Sequence, residues 1–302
     1  MPKTGTFDAW TEELERIYFA FKTASTRRNF HSHMKKHASP YIGKKYLTEI
    51  TYDDLSKIKV RMAEKYKPGT INHIFATLSI VFKQAVKHGK IKKSPVDKDL
   101  FIKEGEEESI LAKILLPKDE LYAVVDSVPG IEKYIWALAA FAGARAGEVF
   151  GFRWRDFEDN FRLISFLRQI QRGQITSLKG KFLYHHMAVI PHLQEILKEW
   201  RAECNHDNPW LFQGYGLKAR KYKFYCSSSY IPRFALTRTK LGLPAEYTFH
   251  TLRHNFGSIL LEDGLMLTRV SEWMRHKNIS TTEDYYKHLI KENLQEDLWT
   301  FQ

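Results

Sequence analysis

A charge-dense segment, IKEGEEES at residues 102–109, interrupts the 302-residue chain between two regions of different character. Before it, apolar residues recur at helical spacing. After it, Pro117 opens a region where helical patterns flank short apolar runs. A chain of this length has room for two domains of about 150 residues each. The sequence therefore predicts a domain at 1–103, a linker at 104–116 and a second domain at 117–302.

The first domain is predicted to be a small helical bundle. Thr51 and Asp54 have the spacing of a capping box, with Asp in place of Glu. Pro68-Gly69 breaks the chain, Thr70 is expected to cap the next helix, and Gly89 is expected to end it. The apolar stripe of that helix is predicted to be core: Ile71, Ile74, Leu78, Val81, Phe82 and Ala85.

The second domain is predicted to be mostly helical with one small sheet. Two runs are short and apolar enough to be strands, Leu163–Gln171 and His186–Ile190. Helical patterns cover 118–127, 131–142, 192–203, 229–240, 250–262, 268–275 and 281–289. The fold class expected for the whole chain is therefore mainly α (α+β), with a small antiparallel β-sheet in the second domain.

The basic residues are unevenly distributed. Residues 1–100 hold 20 Lys and Arg against 10 Asp and Glu, and residues 151–250 hold 16 against 8. Residues 101–150 are acidic instead, with 5 against 9, and the net formal charge of the chain is +12. Two basic blocks around an acidic stretch favour a polyanion as partner, and a phosphate backbone is the usual one because neutralised phosphates release counterions.

Several classes of protein are excluded by simple patterns. The longest mostly apolar run, Tyr134–Ala144, is too short for a bilayer span of about 20 residues. The N-terminal sequence MPKTGTFDAW lacks the apolar core of a signal peptide. The two cysteines, Cys204 and Cys226, cannot build a disulfide framework or a four-thiolate zinc site. We therefore expect a cytosolic protein with no membrane contact.

Three segments of the second domain carry reactive side chains. AGARAGEVFGFRWRDF places Arg145 after a Gly-containing helix end, with an acid three residues later. FHTLRHNF places a histidine and Arg253 on one helix face. MRHKNISTTEDYY supplies a third histidine and two adjacent tyrosines. Arginine forks bind the charge that builds on a phosphodiester under attack, histidines move protons, and a tyrosine can attack phosphorus. Such a set suits a DNA-cleaving site, although an arginine and an acid at this spacing could also form an ordinary surface pair.

In order and spacing these segments resemble the tyrosine recombinases, also called phage-type integrases. They are similar to the family's first arginine box, its His-x-x-Arg box, and the box in which a histidine precedes the nucleophilic tyrosine by nine residues. LKGKF, between the first two boxes, offers the catalytic lysine as Lys179 or Lys181, with Lys179 favoured. The resemblance implies these catalytic residues: Arg145, Lys179, His250, Arg253, His276 and Tyr285, with Glu148 supporting the first arginine.

The resemblance also implies a fold and an activity. The first domain would be a SAM-like, core-site DNA-binding bundle and the second the catalytic domain. The implied enzyme is a site-specific recombinase that cleaves and rejoins double-stranded DNA through a 3′-phosphotyrosyl intermediate, as a homotetramer on two DNA sites, in a prokaryotic or phage setting. The resemblance also allows a further partner, an accessory directionality factor that sets the direction of recombination. The alternatives are a non-cleaving DNA-binding protein of the same fold and a type IB topoisomerase-like relaxing enzyme.

This chain departs from the family pattern at one position of the third box. The family usually has Gly before the histidine, whereas Arg275 stands there, which either alters the turn or adds a phosphate contact. No metal or other cofactor is expected. His250 and His254 have the spacing of a zinc pair, but Thr251 stands where a zinc hydrolase needs Glu.

Other conspicuous residues are assigned to packing or left open. Trp154 and Asp156 are expected to serve packing and turn capping. Tyr222, Tyr225 and Tyr230 lie among basic residues and could contact nucleic acid or belong to the ordinary surface or the core. The C-terminal LWTFQ could pack on a neighbouring subunit or on its own domain.

Overall fold

The structure is a computed structural model of the whole chain, which forms two compact units, Met1–Glu107 and Glu108–Gln302. The residues that it describes are 4–103, 114–178, 186–204, 208–212, 227–276, 278–280, 282–283 and 286, with the backbone alone at 227–229. Each unit has its own apolar core. Both are built mainly from helices, and the second also contains short antiparallel strands, as the sequence predicts.

Helices form the described part of the first unit. They are α1 (Phe7–Ile17), α2 (Ala24–His33), a π-helical turn (Met34–Ala38), α3 (Ser39–Ile42), α4 (Tyr52–Ala63) and α5 (Pro68–Lys87). Short 3₁₀ turns lie at Phe19–Phe21, Leu47–Glu49 and Lys98–Leu100. The apolar stripe of α5 is buried along its whole length, so its assignment to the core is confirmed. Trp10 of α1 donates its indole N–H to the carbonyl of Val81, 3.2 Å away, and so fixes α1 against α5.

Local capping signals in the first unit are confirmed with one exception. The backbone N–H of Asp54 donates to Oγ1 of Thr51 at 3.3 Å, and the Thr51 N–H donates back to the Asp54 carboxylate at 3.0 Å. Gly89, with φ +69°, follows the end of α5 as expected. The prediction that Thr70 caps α5 is wrong, because Pro68 occupies the first turn, where its missing N–H and fixed φ are tolerated.

The second unit surrounds a buried central helix. Its helices are α6 (Lys118–Ser127), α7 (Ile131–Ala142), α8 (Ala146–Val149), α9 (Pro191–Glu203), α10 (Ser227–Lys240), α11 (Phe249–Glu262) and α12 (Leu267–Trp273), with a 3₁₀ turn at Trp154–Asp156. Nearly every side chain of α7 is buried, and α11 packs along it. This packing matters for the site, because the first arginine box follows α7 and the second box lies on α11.

The described strands form two small antiparallel sheets, where the sequence predicts one. The strands are β1 (Phe157–Glu158), β2 (Leu163–Ser165), β3 (Gln169–Gln171), β4 (Gln174–Thr176) and β5 (His186–Ala188). One sheet has the order β1-β2-β5, with Ile164 opposite Met187, and β3 pairs with β4. The run Leu163–Gln171, predicted as one strand, is therefore divided between two sheets. The β3–β4 turn is a tight one, with positive φ at both Arg172 and Gly173.

Burial and hydrogen bonding decide the predictions for Tyr230 and Asp156. Tyr230 is core, because its hydroxyl accepts a 2.7 Å hydrogen bond from the buried indole of Trp136. Asp156 caps its turn through the N–H of Arg153, 2.8 Å away, as expected. Among the described residues, no helix is long and apolar enough to cross a membrane. Tyr222, Tyr225, Cys226 and the C-terminal LWTFQ lie outside the described residues.

Candidate active site

Arg145 lies in the site because it follows the C-terminal end of α7. Gly143 ends the helix with φ +56°, and a Cβ built there would lie 2.5 Å from the ring of Phe256 on α11. Glycine therefore lets the chain turn and lets α7 approach α11 closely. Arg145 then takes the N-cap position of α8, and its backbone N–H donates to Oε2 of Glu148 at 2.9 Å.

Glu148 is a buried carboxylate among three arginines. It is only 2% exposed, and its Oε1 accepts a 2.7 Å hydrogen bond from Nη1 of Arg145. Its Oε2 accepts from Nη2 of Arg275 at 3.0 Å and lies 3.9 Å from Nη1 of Arg253. The interpretation of Arg145 and its acid as a surface pair is therefore wrong. A buried carboxylate needs such partners, because isolated charges are costly in an apolar interior.

The electrostatics of the cluster keep Glu148 ionised. Burial by itself raises the pKa of this carboxyl, but the positive charges of Arg275, Arg253 and Arg145 outweigh burial and lower the pKa to about 2. The carboxylate is therefore charged throughout the neutral range. It can hold the arginines without taking up a proton.

Arg253 comes from α11, opposite Arg145. Thr248 caps α11: the N–H of Thr251 donates to Oγ1 of Thr248 at 3.3 Å. Arg253 donates through Nη1 to the carbonyl of Gly143 and through Nη2 to the carbonyl of Met274. Its side chain is 1% exposed. The second arginine is thus anchored to the ends of both other boxes.

The turn at residues 274–276 joins the two predicted catalytic arginines. Nη2 of Arg145 donates to the carbonyl of Arg275 at 2.9 Å, while Arg253 bonds the preceding carbonyl, that of Met274. Unlike Arg253, the Arg145 side chain is 36% exposed. The three boxes, which lie more than 100 residues apart at their extremes, therefore meet at one point.

The three predicted or neighbouring histidines are neutral at this site. Burial first and the positive charges of Arg253 and Arg145 second lower the pKa of His250 to about 4 and that of His276 to about 3. Burial and the adjacent His250 ring, 4.7 Å away, lower the pKa of His254 to about 3. Nδ1 of His276 shares a 2.7 Å hydrogen bond with Oγ1 of Thr282. Neutral imidazoles can accept a proton as well as donate one.

Comparison with known proteins decides the family. The sequence profile of the phage integrase family matches residues 116–293, and that of the phage integrase central domain matches residues 7–98. The chain belongs to the phage integrase family. It is therefore a tyrosine recombinase, an enzyme that breaks and rejoins DNA.

Several known proteins are similar to this chain over most of its length. The ICEBs1 integrase of Bacillus subtilis (strain 168) is 23% identical over 93% of this chain and 79% of its own length. The Tn1549 transposon integrase, solved with circular intermediate DNA, superimposes with a TM-score of 0.79 at 17% identity, over 96% of this chain and 100% of that one. A lambda integrase tetramer on a Holliday junction gives a TM-score of 0.69 at 20% identity, over 93% and 77%.

Arg275 stands where the resemblance leads us to expect glycine, and the structure shows how an arginine fits there. Its backbone has φ +52°, the left-handed conformation in which glycine is the usual residue. The side chain is 4% exposed, and its guanidinium lies 3.5 Å from the ring centre of Phe166. Arg275 thus adopts the conformation that a glycine would adopt, with its side chain directed into the protein. An altered turn and a phosphate contact both stay predictions.

Tyr286 lies inside the integrase core. Its hydroxyl donates to the backbone carbonyl of His254 at 3.1 Å, and its side chain is 0% exposed. The predicted nucleophile Tyr285 and both candidate lysines, Lys179 and Lys181, lie outside the described residues. Their roles stay predictions.

Two partners in this site were not found from the sequence. Thr282 bonds His276, and Arg275 bonds Glu148. The threonine-rich run before the tyrosines was a visible signal for the first, but neither spacing nor residue type indicates that Arg275 points inward. No group of three or more His, Cys, Asp or Glu side chains that could hold a metal ion occurs among the described residues.

Proposed function

We propose that this integrase cleaves one DNA strand at a time by attack of the Tyr285 hydroxyl on a phosphodiester. The new bond joins phosphorus to the tyrosine oxygen, and the bond from phosphorus to the 5′ oxygen breaks. The strand is then held as a 3′-phosphotyrosyl intermediate. Because the phosphodiester energy is kept in that bond, a 5′ hydroxyl can reseal the strand by the reverse step without a nucleotide cofactor.

Arg145 and Arg253 are assigned to stabilise the negative charge that builds on the reacting phosphate. Guanidinium groups bind non-bridging oxygens bidentately and remain charged at any working pH. The observation that carries this proposal is the convergence of both arginines on one turn, with Glu148 between them. Preorganised charges of this kind stabilise a transition state without reorganising during the reaction.

Proton transfer is assigned to a histidine and a lysine. His250 is neutral at pH 7, since its pKa is about 4, and can take the proton from the attacking tyrosine. Lys179, or Lys181 in its place, gives a proton to the departing 5′ oxygen. His276, anchored by Thr282, donates a hydrogen bond to a phosphate oxygen.

DNA engagement has to uncover the second arginine. Arg253 is 1% exposed, and its terminal nitrogens bond the carbonyls of Gly143 and Met274. A phosphate can bond those nitrogens only when the carbonyl of Gly143 or that of Met274 releases them. Arg145, at 36% exposed, is open to a first contact. We therefore place phosphate binding in two stages, with Arg145 first.

The assembly we propose is a homotetramer on two DNA sites. Its support is the similarity in fold to the lambda integrase tetramer solved on a Holliday junction. Each strand exchange would then use four copies of Tyr285, two at a time. An accessory protein that sets the direction of recombination is a further proposed partner, and the activity belongs in the cytoplasm of a prokaryotic host, where its DNA lies.

The experiment first identifies the DNA site and then traps the intermediate. Genomic fragments selected by the immobilised integrase are sequenced, and the selected site is rebuilt as a duplex with a nick beside the scissile phosphate. Cleavage releases a short fragment, so the covalent complex accumulates and migrates as a shifted band on a denaturing gel. Binding without a shifted band would favour the non-cleaving alternative. Relaxation of supercoiled DNA of any sequence would favour the topoisomerase-like one.

A further inference from the structure

Arg275 is turned into the protein by its own backbone. Its φ of +52° places the side chain over the ring of Phe166 instead of in solvent. Nη1 donates to the carbonyl of Trp273 at 2.7 Å, and Nη2 donates to that of Gly143 at 2.7 Å. A non-glycine residue in this conformation is held there only if its surroundings hold it, and these contacts provide that support.

The two carboxylate oxygens of Glu148 accept from the side chains of different arginines. Nη2 of Arg275 is 3.0 Å from Oε2, while Oε1 bonds Nη1 of Arg145 at 2.7 Å. Without Arg275, the only guanidinium near Oε2 among the described residues is that of Arg253, at 3.9 Å. Oε2 also accepts from the backbone N–H of Arg145 at 2.9 Å, so Arg275 is the second donor that holds this oxygen and the one that brings a charge to it. With Oε2 held in this way, Oε1 faces Nη1 of Arg145.

The same residue also bonds Arg145 through its main chain. The Arg275 carbonyl accepts from Nη2 of Arg145 at 2.9 Å. The two terminal nitrogens of Arg145 are therefore held by the Glu148 carboxylate, which Arg275 contacts, and by the carbonyl of Arg275 itself. Because Arg145 is the more exposed of the two arginines, its orientation decides where a phosphate first docks.

We propose that Arg275 is a positioning residue for the cleavage reaction, one that sets the orientation of Arg145 by fixing the carboxylate of Glu148. The inference rests on the proposed function, since it assigns Arg145 to the reacting phosphate. Arg275 itself stays buried and contacts no DNA. Its effect is on the rate of cleavage of bound DNA and not on the affinity for DNA.

The test uses substitutions of Arg275 in the full-length integrase. Arg275→Met keeps the volume and the left-handed backbone but removes the charge, whereas Arg275→Gly supplies the family residue and relieves the backbone. Single-turnover cleavage of the nicked duplex is measured at saturating protein, beside the dissociation constant for DNA. We expect cleavage by both variants to fall by about 10-fold to 100-fold, the range for misplaced catalytic groups. We expect the dissociation constant to change by less than about twofold, because no phosphate contact is lost.

A matched control removes the same charge elsewhere. Arg269→Met lies on α12, where Arg269 is exposed and paired with Glu272 at 3.3 Å. Its cleavage rate at saturating protein should equal that of the wild type. Arg275→Lys keeps the charge on a single nitrogen and should give an intermediate rate. If Arg275→Met fails to fold, the Gly and Lys variants decide the question.

A double-mutant cycle separates positioning through Glu148 from a general effect on the fold. When Glu148→Gln has already removed the carboxylate, adding Arg275→Met should lower cleavage little further, because the two residues act as one unit. Additive losses in the cycle would overturn the inference. So would wild-type cleavage by a folded Arg275→Gly variant.

The outcomes also separate this inference from the proposed function. If the wild-type integrase forms no covalent complex on its selected site, the proposed function fails, and the inference fails with it. If the wild type forms the complex and the Arg275 variants form it equally fast, only the inference fails.

Discussion

The hydroxyl of Tyr286 donates a hydrogen bond to the backbone carbonyl of His254, 3.1 Å away, inside the core of the second unit. Gly257, one turn further along α11, leaves the space that the ring occupies, since a Cβ there would lie 2.5 Å from Cζ of Tyr286. Of the two adjacent tyrosines, Tyr286 therefore packs in the core. The other tyrosine, Tyr285, lies outside the described residues, and its role as the nucleophile stays a prediction.

Gly257→Ala should destabilise the second unit. The added methyl group overlaps the Tyr286 phenol, and overpacking of a tight core costs about 1–3 kcal/mol. Urea unfolding followed by tryptophan fluorescence measures this unit, because every tryptophan except Trp10 lies in it. In a Tyr286→Ala background the sign should reverse, since alanine is favoured over glycine in a helix by about 1 kcal/mol. Destabilisation of similar size in both backgrounds would mean that the ring does not occupy this space.

Arg145→Ala should separate cleavage from binding. Loss of a preorganised charge at the phosphate lowers the cleavage rate by about 100-fold or more. Duplex binding should weaken only modestly, because one phosphate contact among many is lost. Single-turnover cleavage and a DNA-binding titration on the same site measure the two effects. Arg162→Ala, which removes an exposed arginine beside Asp159, is the matched control and should leave cleavage unchanged. Equal losses in binding and cleavage for Arg145→Ala would mean that it only helps to hold the DNA.

Arg253 needs a gentler substitution than alanine. Its guanidinium is buried and bonds the carbonyls of Gly143 and Met274, so truncation leaves both without that donor. Arg253→Lys keeps the charge and should lower cleavage by about 100-fold, because a single ammonium cannot replace the fork. Retention of wild-type cleavage by this variant would remove Arg253 from the catalytic set.

Stability should fall as the pH is lowered from 7 to 5. The folded-state pKa values of His250, His254 and His276 are about 4, 3 and 3, below the ordinary value of 6.5. Between pH 6.5 and these values only the unfolded chain binds the protons, so acid favours unfolding. Urea midpoints at pH 7 and pH 5, read by tryptophan fluorescence, should differ less in a His254→Asn variant than in the wild type. An equal shift in both proteins would show that His254 is protonated in the folded state.

Cleavage should persist in excess chelator. The arginine cluster supplies the positive charge that a divalent cation provides in other phosphoryl-transfer sites. The covalent-complex assay in the presence of EDTA measures this directly, with the same rate expected in its presence and absence. Loss of cleavage that added magnesium restores would overturn the proposed role of the arginines.

Local features of this fold could be predicted from the sequence because they depend on neighbouring residues. The capping box at Thr51 and Asp54, the left-handed Gly89 and the apolar stripe of α5 are of this kind. The one capping error, at Thr70, arose from treating Pro68 only as a helix breaker, although proline also fits the first turn of a helix.

The candidate site could be predicted only in part, because its geometry joins distant segments. The spacing of the boxes identified Arg145, Glu148 and Arg253, and the structure brings them together. The burial of Glu148 and the inward direction of Arg275 depend on how α7, α11 and the third-box turn pack, which no local pattern encodes. The choice between a nucleic-acid contact and core stayed open for Tyr230 for the same reason, since its partner Trp136 lies on another helix.

The two adjacent tyrosines should differ sharply when each is changed to phenylalanine. Tyr285→Phe removes the proposed nucleophilic oxygen, so it should abolish the covalent complex while leaving DNA binding and the unfolding midpoint unchanged. Tyr286→Phe removes one buried hydrogen bond, worth about 1 kcal/mol of stability, and should still form the covalent complex. Tyr285→Phe should therefore lose the covalent complex and keep its stability, whereas Tyr286→Phe should keep the complex and lose stability.

Peptide mapping of the wild-type covalent complex tests the central claim most directly. The complex trapped on the nicked duplex is digested with nuclease and protease, and the peptide that carries the residual nucleotide is sequenced by mass spectrometry. The account predicts the nucleotide on Tyr285, nine residues after His276. A nucleotide on Tyr286, or on a residue outside the third box, would contradict it.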